Sequence, residues 1–202
     1  MSKQIKFIFD LDGTVTAEET LPLIAKHFNI EAEIEIITKE TIQGNIPFIE
    51  SFIRRVHILG RLPVSKISRL LETAKLYPLI VDFIQKNKEF CAIATGNLEC
   101  WVDKLSKKIG CELFCSAAIS ENDKVVQITQ ILRKEFVVEN FQNNGYKVIY
   151  IGDGNNDMEA MRIADIAIAA GMTHHPSKSL LPICNYLIFN EKALCRQLNQ
   201  LF

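Results

Sequence analysis

The sequence predicts an α/β fold, a Rossmann-like parallel sheet core with a small inserted helical cap. Three apolar, β-branched runs at residues 5–9, 91–94 and 147–151 read as strands buried on both faces. Each run stops in a polar turn: Asp10-Leu11-Asp12-Gly13-Thr14, Thr95-Gly96-Asn97 and Gly152-Asp153-Gly154-Asn155-Asn156-Asp157. Between the first and second runs, about sixty residues lose strand character and take up helical patterning.

In chain order, Gly13 breaks the first strand and Thr14 opens a polar turn. Residues 19–28, 31–41, 46–59 and 64–75 then read as helices, separated by Asn29, Gly44-Asn45 and Gly60-Arg61-Leu62-Pro63. Strand–helix alternation resumes at Tyr77-Pro78, with a helix over 81–87 leading to the strand at Cys91. A helix-like stretch over 98–109 follows and contains Trp101, read as a packing residue. Residues 118–121 and 125–132 form a hairpin around an Asn122-Asp123 turn. A helix over 135–143, the strand at 147–151 and a helix from Met158 complete the core. The implied division is a core of residues 1–15 and 76–202 and a cap of residues 16–75.

Composition excludes several classes. With 48% hydrophobic and 23% charged residues, the 202-residue chain can bury an ordinary core. Its net charge of −1 and lack of a basic run give no reason to expect nucleic acid or membrane as partner. No apolar stretch approaches the roughly 20 residues of a membrane helix. Met1-Ser2-Lys3-Gln4 runs straight into the first strand and leaves no room for a signal peptide. The six cysteines lack C-x-x-C pairing and suit reduced core thiols, so the expected location is cytoplasmic. Oligomeric state is left open.

Asp10 and Asp12 are the most telling pair. Side chains two apart on a strand share a face, so two carboxylates crowd one small volume. Such charges either raise one another's pKa or share a cation. The carboxyl end of a first strand is where open α/β sheets build their sites. Asp153 and Asp157 supply a second acidic cluster at another strand end. A capping or turn role suits any one of these aspartates alone.

The combined order of D-x-D-G-T, a Thr after a strand, a Lys and then G-D-G-x-N-D resembles the haloacid-dehalogenase-like phosphatases over nearly the whole chain. The resemblance implies Mg²⁺ held by the Asp10 side chain, the Asp12 carbonyl and Asp153, with Asp157 holding metal-bound water and orienting a lysine. It implies Asp10 as nucleophile and Asp12 as general acid, then base. In that family the phosphate-binding lysine stands at a helix start before the last motif strand. Lys134 fits that place, and Lys124 at the hairpin is the alternative. Thr95, Gly96 and Asn156 would contact the phosphoryl group; Thr95 also suits an N-cap.

The stretch from Arg54 to Pro63 resembles one in the phosphoserine-phosphatase-like branch, which implies Glu19 against a substrate ammonium and Arg55 against its carboxylate. Ile49, Phe52, Ile53, Val56 and Leu59 form one apolar helix stripe; Arg55 flanks it and Arg54 points nearly opposite. Glu19 equally suits a first-turn helix acid, and Arg55 a solvated helix charge. One departure stands out: Asn97 replaces the second Gly of the usual Ser-Gly-Gly, where it would crowd the substrate or add a hydrogen bond. His174-His175 lacks metal-ligand spacing and reads as a loop.

The reading is therefore a phosphatase whose partner is a small phosphorylated metabolite, phosphoserine first. A sugar or methylthio-sugar phosphate, or an idle phosphate-binding relative, remain alternatives. A receiver domain would carry its phosphorylated Asp mid-chain, and an EF-hand loop needs Gly sixth and Glu twelfth, whereas Gly13 falls fourth from Asp10.

Overall fold

A computed structural model describes residues 4–42 and 45–202. The predicted break at Gly44 and the start at Met1, Ser2 and Lys3 lie outside the described residues. Strand β1 (Gln4–Phe9) leads into four helices, α1 (Thr20–His27), α2 (Glu31–Ile42), α3 (Phe48–Leu59) and α4 (Val64–Glu72). There follow α5 (Pro78–Lys86), β2 (Cys91–Leu98), α6 (Glu99–Ile109), β3 (Glu112–Glu121), β4 (Lys124–Gln130) and α7 (Lys134–Asn143). Then come β5 (Tyr146–Gly152), α8 (Met158–Ile163), β6 (Ile166–Ala170), β7 (Tyr186–Ile188) and α9 (Glu191–Leu201).

The sheet order is β4-β3-β2-β1-β5-β6-β7, parallel except for the β3–β4 hairpin. Strands covered on both faces carry apolar residues at nearly every position, as β1 does over Phe7, Ile8 and Phe9; the buried Lys6 before them is paired with Glu112 at 3.1 Å. Phe7 and Phe9 pack into one layer, whereas Ile8 packs on the opposite face with Val137, Val138 and Met161 of α7 and α8. The first layer continues into the inserted helices through Ile24, Phe52, Val56, Ile67 and Leu71. A bridge between Thr16 and Leu76 closes the base of this helical excursion. Because β1 lies between β2 and β5, the chain leaves it to opposite sides, the switch point at which open sheets form a crevice.

Several boundaries move from the sequence reading. α5 starts at Pro78 rather than residue 81, because proline is well placed in a first helical turn. α4 ends at Glu72, not residue 75. β2 runs on to Leu98, with its pairing to β3 interrupted between Ala94 and Leu98. Thr95-Gly96-Asn97 is thus irregular strand rather than a turn, and Leu98, not Thr95, caps α6. β3 begins at Glu112, pairing parallel with β2 before it turns into the hairpin.

Asn122 and Asp123 both have positive φ, 49° and 65°, as a two-residue type I′ turn requires. The Asp123 carboxylate then accepts from Ser65 N and Oγ at 2.8 and 2.6 Å, capping the start of α4 from another element. Of the predicted α3 stripe, Phe52, Val56 and Leu59 are buried, whereas Ile49 and Ile53 are exposed. Trp101 is fully buried, and all six cysteines are free thiols. No helix among the described residues is long and apolar enough to cross a membrane.

Candidate active site

The acidic turns meet at the carboxyl ends of β1 and β5. The ladder continues one residue past β1, with Asp10 N–H bonded to Ile151 O at 2.8 Å, which fixes the Asp10 backbone. Gly13 (φ 70°) then turns the chain; a Cβ there would lie 2.7 Å from Asp153 Oδ2. Gly152 is equally constrained, since a Cβ would sit 2.5 Å from Asp157 Cγ. These glycines let carboxylates from two loops share one small volume.

Lys134, the first residue of α7, donates to Asp10 Oδ1 and Asp157 Oδ1, each at 2.6 Å. Asp157 is also held by Tyr150 OH at 2.8 Å and by the N–H groups of Asp153 and Gly154 at 3.1 and 2.9 Å. Thr14 Oγ1 donates to Asp153 Oδ1 at 3.1 Å. Lys124 is exposed in the hairpin, so Lys134 is the lysine that reaches the carboxylates.

Burial pushes the Asp10 carboxyl well above the usual range, and Asp157 adds to this; Lys134 opposes it. Burial, with the Asp157 and Glu19 charges, also raises Asp153, against a hydrogen bond from His174. Burial alone would lower Lys134, but Asp10 and Asp157 more than offset it and keep the ammonium charged. Asp10, Asp153 and Asp157 each bring a carboxylate oxygen within 4.8 Å of the others, all three residues buried. Three buried carboxylates beside one ammonium leave excess negative charge, and a set of hard oxygen donors fits a divalent cation of the Mg²⁺ type. The Asp12 side chain lies outside this set.

Above the cluster opens a cavity of about 480 Å³, an ordinary size for a small-ligand site. Asp10, Asp12, Asp153, Gly96, Asn97 and Asn156 line its sheet side, and Glu19, Phe52 and Arg55 its helical side. Thr95 is fully buried behind the lining, its hydroxyl accepting from Asn97 N–H at 3.2 Å. Arg55 donates to Ser51 Oγ at 2.6 Å; burial lowers its pKa against the nearby Glu19 charge. Arg54 is exposed and paired with Glu50. A separate groove of about 600 Å³ between α3 and β4 contains none of the carboxylates.

Glu19 is not a first-turn acid. It precedes α1 in extended conformation, and its Oε1 meets His174 Nε2 at 2.9 Å. His174 Nε2 also lies 2.9 Å from Asp153 Oδ2. His174 Nδ1 faces the His175 carbonyl at 2.9 Å, which can only accept, so Nδ1 carries hydrogen and Nε2 is left to the two carboxylates. Asp153 and Glu19 raise the imidazole pKa to about 11. The loop reading of His174 was right about its backbone and missed its side chain. Tyr150, read only as a strand residue, was missed too; a phenol inside an apolar buried strand was the available signal.

Asp12 is held through both oxygens. Thr20 N–H donates to Oδ1 at 2.8 Å and Asn97 Nδ2 to Oδ2 at 2.7 Å. Burial and the Glu19 charge raise its pKa to about 6, against the hydrogen bonds from Thr20.

Residues 7–165 match the family model of the haloacid dehalogenase-like hydrolases. The chain is 28% identical over 185 residues to the phosphoserine phosphatase of Methanocaldococcus jannaschii, covering 84% of this chain and 87% of that one. The yeast phosphoserine phosphatase, from Saccharomyces cerevisiae, is 28% identical over 179 residues; the match covers 81% of this chain and 58% of the yeast enzyme. A substrate-bound phosphoserine phosphatase complex superposes with a TM-score of 0.82 at 23% identity over 99% of each chain, a likeness of fold. The chain therefore belongs to the haloacid dehalogenase-like hydrolases, in their phosphoserine-phosphatase-like branch of phosphoric monoester hydrolases.

Proposed function

We propose that this hydrolase is a Mg²⁺-dependent phosphatase of small phosphomonoesters, acting through an aspartyl-phosphate on Asp10, with phosphoserine as leading substrate. The observation that carries the reading is the buried Asp10–Lys134–Asp157 contact beside Asp153, a carboxylate nucleophile lying against a fixed ammonium at the floor of a ligand-sized cavity. The side chains of Asp10 and Asp153 and the Asp12 carbonyl would hold the cation, with Asp157 behind them. When bound, it supplies the positive charge that lets an anionic carboxylate approach a phosphate dianion.

Asp10 attacks phosphorus, forming an O–P bond while the bond to the leaving oxygen breaks. Lys134 offsets charge on the phosphoryl oxygens, aided by polar groups around Gly96 and Asn156. Asp12 gives its proton to the leaving oxygen; a carboxyl raised to about 6 suits that role and its reversal. Water then gives a proton to Asp12 and attacks phosphorus, releasing phosphate and restoring the Asp10 carboxylate. Residues 16–75 act as a cap that brings Glu19 and Arg55 to the substrate's ammonium and carboxylate.

A second reading rests on His174. Glu19 already faces an imidazole, so a carboxylate-bearing phosphate without an ammonium also suits the helical side. 3-Phosphoglycerate, with a hydroxyl in place of the ammonium, discriminates the two. Phosphate release should favour phosphoserine under the first reading and be equal or reversed under the second. No release from any phosphomonoester overturns both.

A further inference from the structure

We infer that Asn97 is a positioning residue for Asp12, a role that rests on the phosphatase reading above. Asp12 lies in the loop after β1, where no regular backbone pairing fixes its side chain. Two donors from different elements do so instead. Thr20, the first residue of α1, supplies its N–H to Oδ1 at 2.8 Å, and Asn97, near the end of β2, supplies Nδ2 to Oδ2 at 2.7 Å. The second hydrogen of that same amide group reaches Thr20 Oγ1 at 2.8 Å.

The amide orientation follows from its partner. Turned over, Asn97 would set its carbonyl oxygen against an oxygen of the ionised Asp12 carboxylate, so in that form the amino end faces Asp12. At the other end, Asn97 Oδ1 is buried and meets no donor among the described residues. A buried acceptor without a partner is costly, so apolar packing does not account for an asparagine here. Residue 97 also falls in the interrupted stretch of β2, and such irregularities re-aim a side chain out of the strand alternation.

The two carboxylate oxygens offer about four lone-pair sites between them, of which the Thr20 N–H and the Asn97 amide each take one and the Thr20 side chain another. The remaining site carries the proton that passes to the leaving oxygen. Asn97 thus fixes where that proton is presented, without touching the phosphoryl group.

The test is leaving-group dependence. Phenyl phosphate and p-nitrophenyl phosphate are similar in shape, but phenolate is a poor leaving group that needs a proton and nitrophenolate is not. In Asn97→Ala, kcat/KM, which reports steps through phosphoryl transfer, should fall about tenfold for phenyl phosphate and phosphoserine and within about twofold for p-nitrophenyl phosphate. Asn97→Asp keeps the shape but removes the donor and should lose at least as much. Asn97→Ser, which restores a donor, should recover part of the loss; it is also the variant to read should the alanine form fail to fold. Equal losses on both aryl phosphates overturn the positioning role, as does a loss confined to phosphoserine, which would make Asn97 a substrate contact. Inactivity of the wild type on all three overturns the phosphatase reading itself.

Discussion

On the sheet side of the cavity, the side chains of Asp10, Lys134 and Asp157 are 5%, 3% and 0% exposed and meet at 2.6 Å. On the helical side, Glu19 is 38% exposed and shares His174 with Asp153, while Arg55 is half-buried beside the Ser51 hydroxyl and the Glu19 charge. The sheet side is over-determined: Asp157 alone accepts from Lys134, Tyr150 and two backbone N–H groups. Among the described residues, the helical side is less restrained and more exposed. Buried, mutually satisfied charges resist rearrangement, whereas exposed ones exchange partners at small cost. Under the proposed function, reaction type would belong to the sheet ends and substrate choice to the helices, where residues can change without rebuilding the chemistry.

The contrast can be broken first at its strongest point. Asp10→Asn removes the attacking charge and a cation ligand together, so phosphate release should drop to background while the far-ultraviolet spectrum stays folded. Substantial turnover in that variant would place the chemistry elsewhere. A strong chelator should abolish activity and added Mg²⁺ restore it, because Lys134 alone leaves the carboxylates with excess negative charge; full activity in chelator would contradict this.

Proton transfer comes next in size. Burial and Glu19 keep Asp12 protonated up to about pH 6, and only the protonated form can assist the leaving oxygen. For phenyl phosphate, kcat/KM corrected for the substrate's own ionisation should therefore fall as pH rises through that value. The p-nitrophenyl ester should give a nearly flat profile. A rise for phenyl phosphate across the same interval would remove Asp12 from the acid role.

On the helical side, Arg55→Ala should lose a charge-assisted contact worth roughly 1.5–3 kcal/mol, one to two orders of magnitude in specificity for phosphoserine. An aryl phosphate, lacking the carboxylate, should hardly respond. Equal slowing of both would make Arg55 structural. Arg54→Ala, on an exposed residue paired with Glu50, should have the smallest effect on either substrate; a loss matching that of Arg55→Ala would reassign the carboxylate contact.

What was legible in the sequence follows the same division. The ends of β1 and β5 and their turns were readable because an apolar run, a glycine and an acid lie within a few residues of one another; Thr95-Gly96-Asn97, which carries no acid, was read as a turn and is irregular strand. Lys134 could be chosen over Lys124 because a type I′ turn is a local signal. Contacts made by folding were not readable: His174 meets Glu19 across 155 residues, and Asn97 meets Asp12 across 85. The first half of β3, 112–116, escaped because only Leu113 and Phe114 between Glu112 and Cys115-Ser116 are large and apolar, and its pairing with β2 is non-local. The α3 stripe had the right period, but periodicity does not show how far a neighbour covers it, and Ile49 and Ile53 stay exposed.

The central claim is that Asp10 becomes transiently phosphorylated. The direct measurement is rapid acid quench of the wild type during turnover of phosphoserine, followed by mass spectrometry of its peptides. One phosphoryl group is expected on the peptide carrying Asp10, removed by hydroxylamine as an acyl phosphate should be, and absent in Asp10→Asn. Phosphate release at full rate with no labelled peptide, or with the label on any other residue, would contradict it.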